Sequence, residues 1–517
     1  MKLKILLPVS LGWVFATSAQ TFQPLPAPST NSPMAAPDQA APNTPAAPAA
    51  PNTLEDFIQL AIQHNLDVQV ERYNPQLSLY DLRIAYAGYD PAFSISGQHD
   101  YRKSGGQIFN GTRFNGTTGD DNTFSSGITG ALPWGMSYNL KGTTTDDYGY
   151  SGTNYFRSGT GSVSLGLTQP LLKNFLTDQT RLNISVAKNR VKFSEQGLRQ
   201  QVITTVSDVA NAYYELIAAQ ENVNVQQEAL KLAEQLYTEN KKRVEVGVLA
   251  PLDEKQAQSQ VAASRAALLT AQQSVEIAEN TLKSLITDDY LTIHDEVLRP
   301  TESLTAPKQT FNLQDSWNNG LTKRPDLLQA KLDLEQAGIQ LKYAKNQVLP
   351  ELDVFGSYGL SGSRNEFSGA FEDIHDGSLP SYTYGAQLSI PLGNVSARNK
   401  YRQGKITVQQ SLLAVKKLEQ SVMVDVDNAI KTAQAKFESV DATHEARLYA
   451  QAALEAEQKK LENGKSTSFV VLQLQSNLTT ARSEEIRALA DYNEALVTLA
   501  KVQGTTLEQR NIDLNIR

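Results

Sequence analysis

The sequence predicts an α+β membrane protein built from two copies of a helix–strand–strand–helix unit. Three observations support this fold class: a repeat at constant offsets, apolar periodicity through very long helices, and strands in which apolar and polar residues alternate. Composition adds limits. The absence of Cys excludes disulfides, thiolate metal sites and a lipidated cysteine. The formal net charge of −8 argues against nucleic acid as a partner, because neutralising phosphates requires clustered Lys and Arg.

The N-terminal 53 residues predict an exported protein with a linker before its folded part. Residues 1–19 predict a secretory signal peptide, because two lysines precede an apolar run that ends in small residues. This run is shorter than the roughly 20 residues that a bilayer span needs, and no later stretch predicts a transmembrane helix. Residues 20–53 are rich in Pro and Ala and predict a disordered linker, because they bury too little apolar surface to offset the entropy of ordering.

The folded part contains an internal repeat, which defines its organisation. The first unit is predicted at residues 54–290 and the second at 313–505, with a connection at 291–312 and a C-terminal tail at 506–517. The aligned positions keep one offset within each segment: Leu54 with Leu313 and Pro91 with Pro350 (259), Pro170 with Pro391 (221), and Gly247 with Gly464 (217).

Each unit is predicted to hold one long helix and two shorter helical segments. The long helices follow from apolar positions spaced by three and four residues over about 170–247 and 393–463. Each spans roughly 110 Å, about as much as the two shorter segments of its unit placed end to end. Many small residues in these seams indicate close, coiled-coil packing, so the helices predict a wall of uniform height. The shorter segments are predicted at 54–88 with 251–286, and at 313–346 with 468–503.

Amphipathic strands are predicted at about 92–169 and 351–390. Strands of about ten residues that alternate apolar and polar side chains are typical of a membrane barrel with a water-filled interior; the alternative is a soluble sheet with one wet face. Four clear strands per chain cannot enclose an open pore, whereas three chains supply twelve. Residues 104–122 and 146–159 predict extracellular loops. Residues 123–145 predict a further hairpin, which either projects outward, the favoured interpretation, or joins the barrel wall.

This order of elements, with Pro-Leu steps from strand to helix and glycine-centred turns between helices, resembles the TolC (outer-membrane efflux protein) family over about residues 54–505. The resemblance implies a homotrimer with a 12-stranded β-barrel in the outer membrane of a diderm bacterium, continuous with a long periplasmic α-helical barrel. It implies a passive exit duct without a cofactor, which docks a periplasmic adaptor and an inner-membrane pump. Small-molecule efflux and type I secretion share this architecture, so both stay open.

The resemblance places the adaptor-contacting parts at two helix–turn–helix tips. Glycines 247 and 464 end long helices at positions where positive φ is favoured, so the alternative for these glycines is a purely capping role. The predicted tip residues are Val246, Gly247, Val248, Leu249, Asn463, Gly464, Lys465 and Ser466.

The resemblance also places an aperture beside these tips. Asp253 retains the acidic residue of the first repeat, and Glu254 and Gln473 are secondary candidates. In the second repeat the family's acidic positions correspond to Val470 and Gln473, and its Tyr and Arg correspond to Leu461 and Ser466. This departure argues against a salt-linked lock. We expect constriction by packed tips together with a ring of Asp253.

Two other classes of protein fit the sequence less well. The motifs of acyl-transfer, zinc-protease and phosphate-binding sites are absent, so no enzyme is predicted. The pairs Asp120-Asp121 and Asp146-Asp147 lie in polar stretches, where acidic residues are usually solvated. A periplasmic adaptor or coiled-coil scaffold also uses long helical hairpins. It would carry one hairpin between lipoyl-like halves, however, and not two hairpins joined to amphipathic strands.

Overall fold

The computed structural model describes residues 53–114 and 116–512, so the predicted signal peptide and the linker before Thr53 lie outside the described residues. Helices dominate these residues, and none of the helices described there is long and apolar enough to cross a membrane. The helices are α1 (Leu54–His64), α2 (Leu66–Tyr86), α3 (Gln179–Glu245), α4 (Pro251–Ile286), α5 (Tyr290–Ile293), α6 (Leu313–Lys323), α7 (Pro325–Asn346), α8 (Phe367–Asp376), α9 (Val395–Glu462), α10 (Ser468–Gln503) and α11 (Thr506–Gln509).

Eight strands complete the described part of the fold. They are β1 (Ala92–Lys103), β2 (Gln107–Phe109), β3 (Thr112–Phe114), β4 (Thr117–Ala131), β5 (Ser137–Ser151), β6 (Asn154–Pro170), β7 (Glu351–Arg364) and β8 (Leu379–Ser389).

Two very long helices, α3 and α9, run through the helical part. They contain 67 and 68 residues, which corresponds to about 100 Å each. The carboxylate of Asp178 accepts a hydrogen bond from the backbone N–H of Arg181 and so caps the start of α3. Shorter helices lie along them: α4 packs on α3, and α10 packs on both α3 and α9.

Each unit was predicted to begin with one helix of about 35 residues. In both units this helix is broken into two. Asn65 separates α1 from α2, and Arg324 separates α6 from α7 at the equivalent position of the repeat. Asn65 has ψ near 124°, and its side chain accepts a hydrogen bond from the N–H of Val68, so it starts a new helix. Arg324 takes a similar extended conformation because the following Pro325 disfavours helical geometry before it.

The main sheet has six antiparallel strands in the order β1-β4-β5-β6-β7-β8. The prediction of four strands is therefore wrong. The favoured prediction that 123–145 projects outward is also wrong, because β4 and β5 lie between β1 and β6. The predicted loops at 104–122 and 146–159 are correspondingly shorter, since much of each is strand.

Side-chain complementarity explains why β4 and β5 join this sheet. The Phe124 ring lies over Gly97 of the neighbouring β1. A Cβ placed on Gly97 would lie 3.2 Å from this ring. Tyr138 of β5 covers Gly130 of β4 in the same way. Aromatic side chains that cover cross-strand glycines fix the register of a sheet. The hairpin's own residues thus specify both its contact with β1 and the register between its two strands.

The largest hydrophobic core lies at the middle of the helical part, where α1 packs against α3 and α4. Phe57 and Tyr213 are fully buried there, and burial raises the pKa of Tyr213 to about 12. The connection between the two units passes over the same level. The carbonyl of Leu298 accepts from Gln220 of α3, and that of Pro307 accepts from Tyr492 of α10. Helix α1 and the connection between the units therefore add a further layer around α3 and α10 at the middle of the helical part.

The chain has two lateral margins. Near the sheet, the helices follow the order α2-α3-α7-α9, because α2 packs on α3, α3 on α7 and α7 on α9. Since α2 leads into β1, and β8 leads into α9, one margin is formed by α2 with β1 and the other by α9 with β8.

Helix α8 packs against β6 and β7 within the connection from β7 to β8. Gly161 and Gly362 are direct cross-strand partners beneath it. A Cβ on Gly362 would lie 2.2 Å from the carbonyl oxygen of Ala370, so only glycine allows α8 to approach this closely.

Candidate functional site

The first predicted tip is an exposed turn between α3 and α4. Gly247 has φ of +77°, and the N–H of Val248 donates to the carbonyl of Arg243 over 2.8 Å, which closes a Schellman-type end. Val246 and Val248 are 73% and 71% exposed, whereas Leu249 is half-buried. Two apolar side chains at the end of a long helical hairpin therefore face solvent.

The second predicted tip has the same backbone geometry with polar side chains. Gly464 has φ of +68°, and the N–H of Lys465 donates to the carbonyl of Lys460 over 2.8 Å. Ser466 donates to the carboxylate of Glu457, which also binds Lys460. The hydrogen bonds from Lys460 and Ser466 hold the pKa of Glu457 below its usual range. The side chain of Asn463 donates to the carbonyl of Lys459. The two tips thus share a shape and differ in surface chemistry.

A buried hydrogen bond joins the two hairpins near their tips. The hydroxyl of Ser468, the first residue of α10, donates to the side-chain oxygen of Asn240 on α3 over 3.0 Å. Both residues are essentially inaccessible to solvent. The sequence analysis missed this pair, since nothing in the repeat relates position 240 to position 468.

The three aperture candidates lie near helix starts, Asp253 and Glu254 on α4 and Gln473 on α10. Asp253 accepts a hydrogen bond from the N–H of Ala250 over 3.2 Å, so its carboxylate caps α4. Glu254 is the next residue, and its side chain is half-buried. Gln473 is exposed and donates to Asn477 one turn further along α10. An aperture made from these residues would need further copies of the chain.

Further from the tips, polar contacts connect α3 to α10 along the seam between the two hairpins. Arg482 pairs with Glu228, and Arg487 pairs with Glu215. The hydroxyl of Ser483 donates to Asn222 over 2.8 Å. The partners of each pair are far apart in the sequence and form no short motif, so the sequence alone did not identify them. They fix how one hairpin lies against the other.

The six-stranded sheet has two faces of opposite character. In an antiparallel sheet, residues directly opposite each other point to the same face. Ile128, Leu140, Leu165, Tyr358 and Tyr382 are linked in this way across five strands. Apart from the part that α8 covers at Gly161 and Gly362, the apolar face is exposed, and its large side chains include Phe93, Ile95, Phe124, Ile128, Leu140, Val163, Leu165, Leu167, Val354, Tyr358, Tyr382, Tyr384 and Leu388.

The opposite face of the sheet is polar. Asp100, Asp121 and Asp147 are successive partners across β1, β4 and β5 on this face. Ser, Thr, Gly and Asn occupy most of its other positions, with Phe355 an apolar exception. A sheet with one exposed apolar face and one polar face is the arrangement expected between lipid and water.

Both margins carry rows of exposed apolar side chains. The stripe on α2 has steps of four and three residues, the spacing that places side chains on one helix face. The stripe on α9 keeps one face in the same way. The α2 stripe consists of Leu66, Val70, Tyr73, Leu77, Tyr80 and Ile84, and the α9 stripe of Val395, Ile406, Leu413 and Val424; each of these side chains is at least half exposed. The spacing of the α2 stripe can be recognised in the sequence. The sequence analysis did not propose a surface that this stripe contacts.

Known proteins resemble this chain along most of its length. The family model described as outer membrane efflux protein matches residues 57–287 and 318–505. The chain is 23% identical to the outer membrane efflux protein BepC of Brucella suis, over 67% of this chain and 72% of BepC. It is 26% identical to the outer membrane protein TolC of Vibrio cholerae, over 68% of this chain and 79% of that protein.

A solved structure shows the same fold. The outer membrane protein VceC of Vibrio cholerae superposes with a TM-score of 0.63, at 16% identity, over 87% of this chain and 96% of VceC. The predicted resemblance, the outer-membrane location and the periplasmic helical extension are confirmed by these matches. The chain belongs to the outer membrane efflux protein family.

Proposed function

We propose that three copies of this chain form a passive exit duct through the outer membrane, which a periplasmic adaptor connects to an inner-membrane pump. The sheets of the three copies form the membrane part, and the helical hairpins form a tube that extends through the periplasm. The duct serves tripartite efflux or type I secretion and carries out no chemistry. Family membership supports the export role, and the names of the relatives favour efflux.

The single observation that carries this proposal is the match between the two margins. Strand edges at β1 and β8 leave backbone groups unpaired, and the stripes on α2 and α9 leave apolar side chains in water. When the α2 and β1 margin of one copy meets the α9 and β8 margin of the next, all four are covered. Such a head-to-tail contact uses two different surfaces, so repetition by rotation gives a closed ring. The family implies that the ring has three members.

The sheet favours a duct over an adaptor or coiled-coil scaffold. Thirteen large apolar side chains on one face are exposed, and Tyr384 and Ile95 are 81% and 77% exposed. An exposed apolar surface of this extent marks contact with a membrane or a partner. An adaptor in the soluble periplasm would keep this face in water. A duct places it against outer-membrane lipid.

The two tips are proposed as the adaptor-binding end of the duct. Val246, Val248 and the half-buried Leu249 offer an apolar contact, whereas Asn463, Lys465 and Ser466 offer a polar one. We propose that Asp253 lines the closed aperture, with Glu254 and Gln473 beside it. Because three copies of each tip surround one axis, every chain contributes one apolar and one polar tip to the docking ring.

Replacement of apolar residues on the α2 stripe tests the assembly. Tyr73→Glu and Leu77→Glu place a charge in the proposed contact with α9, where burial without a partner is costly. Extraction in mild detergent should give a trimer for the unaltered chain and a monomer for the double variant. The matched control is Gln76→Glu, because Gln76 is exposed on the same helix but lies off the stripe. This control should remain trimeric and fractionate with the outer membrane.

Bilayer recording separates the proposal from its alternatives. The trimer should conduct ions in planar lipid bilayers, and the monomeric double variant should not. A monodisperse monomer that conducts, or an unaltered protein recovered from the soluble periplasm, would contradict the duct.

A further inference from the structure

We propose that the trimer closes an 18-stranded barrel, not the 12-stranded barrel that the family resemblance implies. The β4–β5 hairpin is then part of the membrane wall, and the outer-membrane exit is as wide as the periplasmic tube beneath it. This inference rests on the trimeric duct proposed above and adds the strand number and the width of the exit.

The inserted hairpin has the two faces that a wall element requires. Ile128 of β4 and Leu140 of β5 are direct partners and continue the apolar face from Phe93 of β1 to Leu165 of β6. On the opposite face, Asp121 and Asp147 extend a polar row that begins at Asp100. A hairpin that projected into the extracellular medium would leave its apolar face in water. Within the wall this face meets lipid.

The hairpin also extends through the full height of the sheet. Its turn between β4 and β5 lies at the helical end, beside the step from β6 into α3. The side chain of Gln169 donates to the carbonyl of Trp134 over 3.4 Å, and the Cα of Gly135 is so close to the Asn174 carbonyl that a Cβ would lie 2.9 Å from that oxygen. A turn anchored at the periplasmic end means that both strands of the hairpin cross the same thickness as β1 and β6.

Strand direction permits closure. Six strands that alternate in direction leave β1 and β8 antiparallel to each other, so β8 of one copy can pair with β1 of the next in the same alternating pattern. Both free edges are of similar length, with 12 residues in β1 and 11 in β8. Three such sheets give 18 strands, an even number, as an all-antiparallel ring requires.

The perimeters of the two parts of the duct agree for 18 strands. Each copy contributes four helices near the sheet, and twelve helices about 9 Å apart make a ring of roughly 110 Å. Strands about 4.8 Å apart and tilted by about 40° each occupy roughly 6.3 Å, so 18 strands also give roughly 110 Å. Twelve strands would give only about 75 Å. The exit therefore places no narrower size limit on cargo than the tube does.

A deletion converts the six-stranded sheet into a four-stranded one and provides the comparison. Removal of residues 105–151 joins Ser104 to the two-residue turn Gly152-Thr153 that now connects β5 to β6. Ser104 then occupies the place of Ser151 opposite Asn154, and β1 keeps its apolar residues on the apolar face. Electron microscopy of trimers in lipid nanodiscs should show 18 strands for the full chain and 12 for the deletion variant.

Paired cysteines give a second measurement that does not depend on the deletion variant. The full chain contains no cysteine, so introduced thiols are the only ones. The hydroxyls of Ser96 and Ser125 are 2.8 Å apart, whereas Ser96 and Ser162 are separated by three strand spacings, about 14 Å. Oxidation in outer-membrane vesicles should remove both maleimide-reactive thiols from Ser96→Cys/Ser125→Cys. It should leave both in Ser96→Cys/Ser162→Cys.

The outcomes separate this inference from the proposed function. A trimer with 18 strands and a linked Ser96→Cys/Ser125→Cys pair supports it. A conducting trimer with 12 strands, in which the Ser96→Cys/Ser125→Cys thiols stay free, overturns the wider barrel and leaves the duct intact. Failure to form a trimer contradicts the duct itself.

Discussion

Ser468 and Asn240 lie on different hairpins, and the Ser468 hydroxyl donates a 3.0 Å hydrogen bond to the Asn240 side chain. The bond is buried and close to both tips, so it ties the start of α10 to α3 where the duct is proposed to narrow. Its loss should therefore be felt at the tips before it is felt in the rest of the helical part.

Ser468→Ala should loosen the tips. It leaves the buried Asn240 oxygen without a donor, at a cost of about 1–3 kcal/mol, whereas Ser468→Ala with Asn240→Leu removes both polar groups and should recover part of this. Amide hydrogen exchange at residues 240–250 and 460–470 should be faster in the single variant. Ser476→Ala, an exposed position on α10, is the control and should match the unaltered protein. Equal exchange in all variants would show that the bond does not hold the tips.

Asp253→Asn should weaken cation selectivity and block by trivalent cations. In the proposed trimer, three carboxylates near the axis attract cations, and the amide removes their charge while it keeps an acceptor for the N–H of Ala250. Asp253→Ala also loses the hydrogen bond from the N–H of Ala250 at the start of α4. Reversal potentials in a salt gradient measure the selectivity. If Asp253→Asn trimers keep the selectivity and block of the unaltered protein, Asp253 is only a cap and the aperture lies elsewhere.

Val246→Asp should impair docking of the adaptor and reduce export, while single-channel conductance stays nearly unchanged. Val246 is exposed at the first tip and contributes no core packing, so a charge there disturbs a partner and not the fold. Leu249→Asp should have the same effect on export with some loss of tip stability, because Leu249 is half-buried. Val246→Thr keeps the shape without a charge and serves as the control. Normal export by Val246→Asp would remove this tip from the docking surface.

Asp326 should contribute to stability above about pH 4 and lose this contribution in acid. Burial raises the pKa of Asp326, but the hydrogen bonds and charge of Arg324 outweigh burial and leave the pKa below its ordinary value. A carboxyl group with a lowered pKa in the folded state stabilises the fold above its unfolded pKa of about 4, and this is lost as the pH falls through the folded value. Asp326→Asn should therefore lose less stability than the unaltered protein between pH 5 and pH 2.

Denaturant midpoints at these two pH values give the measurement. Asp427→Asn is the matched control, because it removes one carboxylate from a surface pair with Lys431 on α9. If Asp427→Asn reduces the loss of stability between pH 5 and pH 2 as much as Asp326→Asn does, the effect comes from net charge and not from the pair of Asp326 with Arg324.

The sequence predicts the helical part well because periodicity over 67 residues is a strong signal, and α4 and α10 occupy the ranges that this periodicity indicates. The positive φ of Gly247 and Gly464 was also predictable, since both follow long apolar seams. The breaks at Asn65 and Arg324 were not predicted, although a capping Asn and a following Pro325 signal them. The prediction relied on the repeat and on the long apolar periodicity, and it gave too little weight to these single residues.

The sheet was predicted less well for a physical reason. The repeat supplies four equivalent strands, so the additional β4 and β5 have no counterpart in the second unit and were assigned to a projecting hairpin. Their alternation, together with the pairing of Gly97 with Phe124, identifies them as strands of the main sheet. A cysteine label can test whether this hairpin lies in a membrane wall, and Asn139 is unsuitable because it is the partner of Gly166 on the polar face. Leu140, which lies on the apolar face, is the position to label.

The unpaired margins have a thermodynamic consequence for the single chain. In the proposed trimer the two bare strand edges and the two exposed apolar stripes are covered, so part of the free energy that stabilises the fold is available only when copies meet. The stability of the sheet and of the upper helices is then a function of protomer concentration, as it is for obligate oligomers. Dilution should act on this protein as a denaturant does, and newly exported chains depend on mass action to complete their fold.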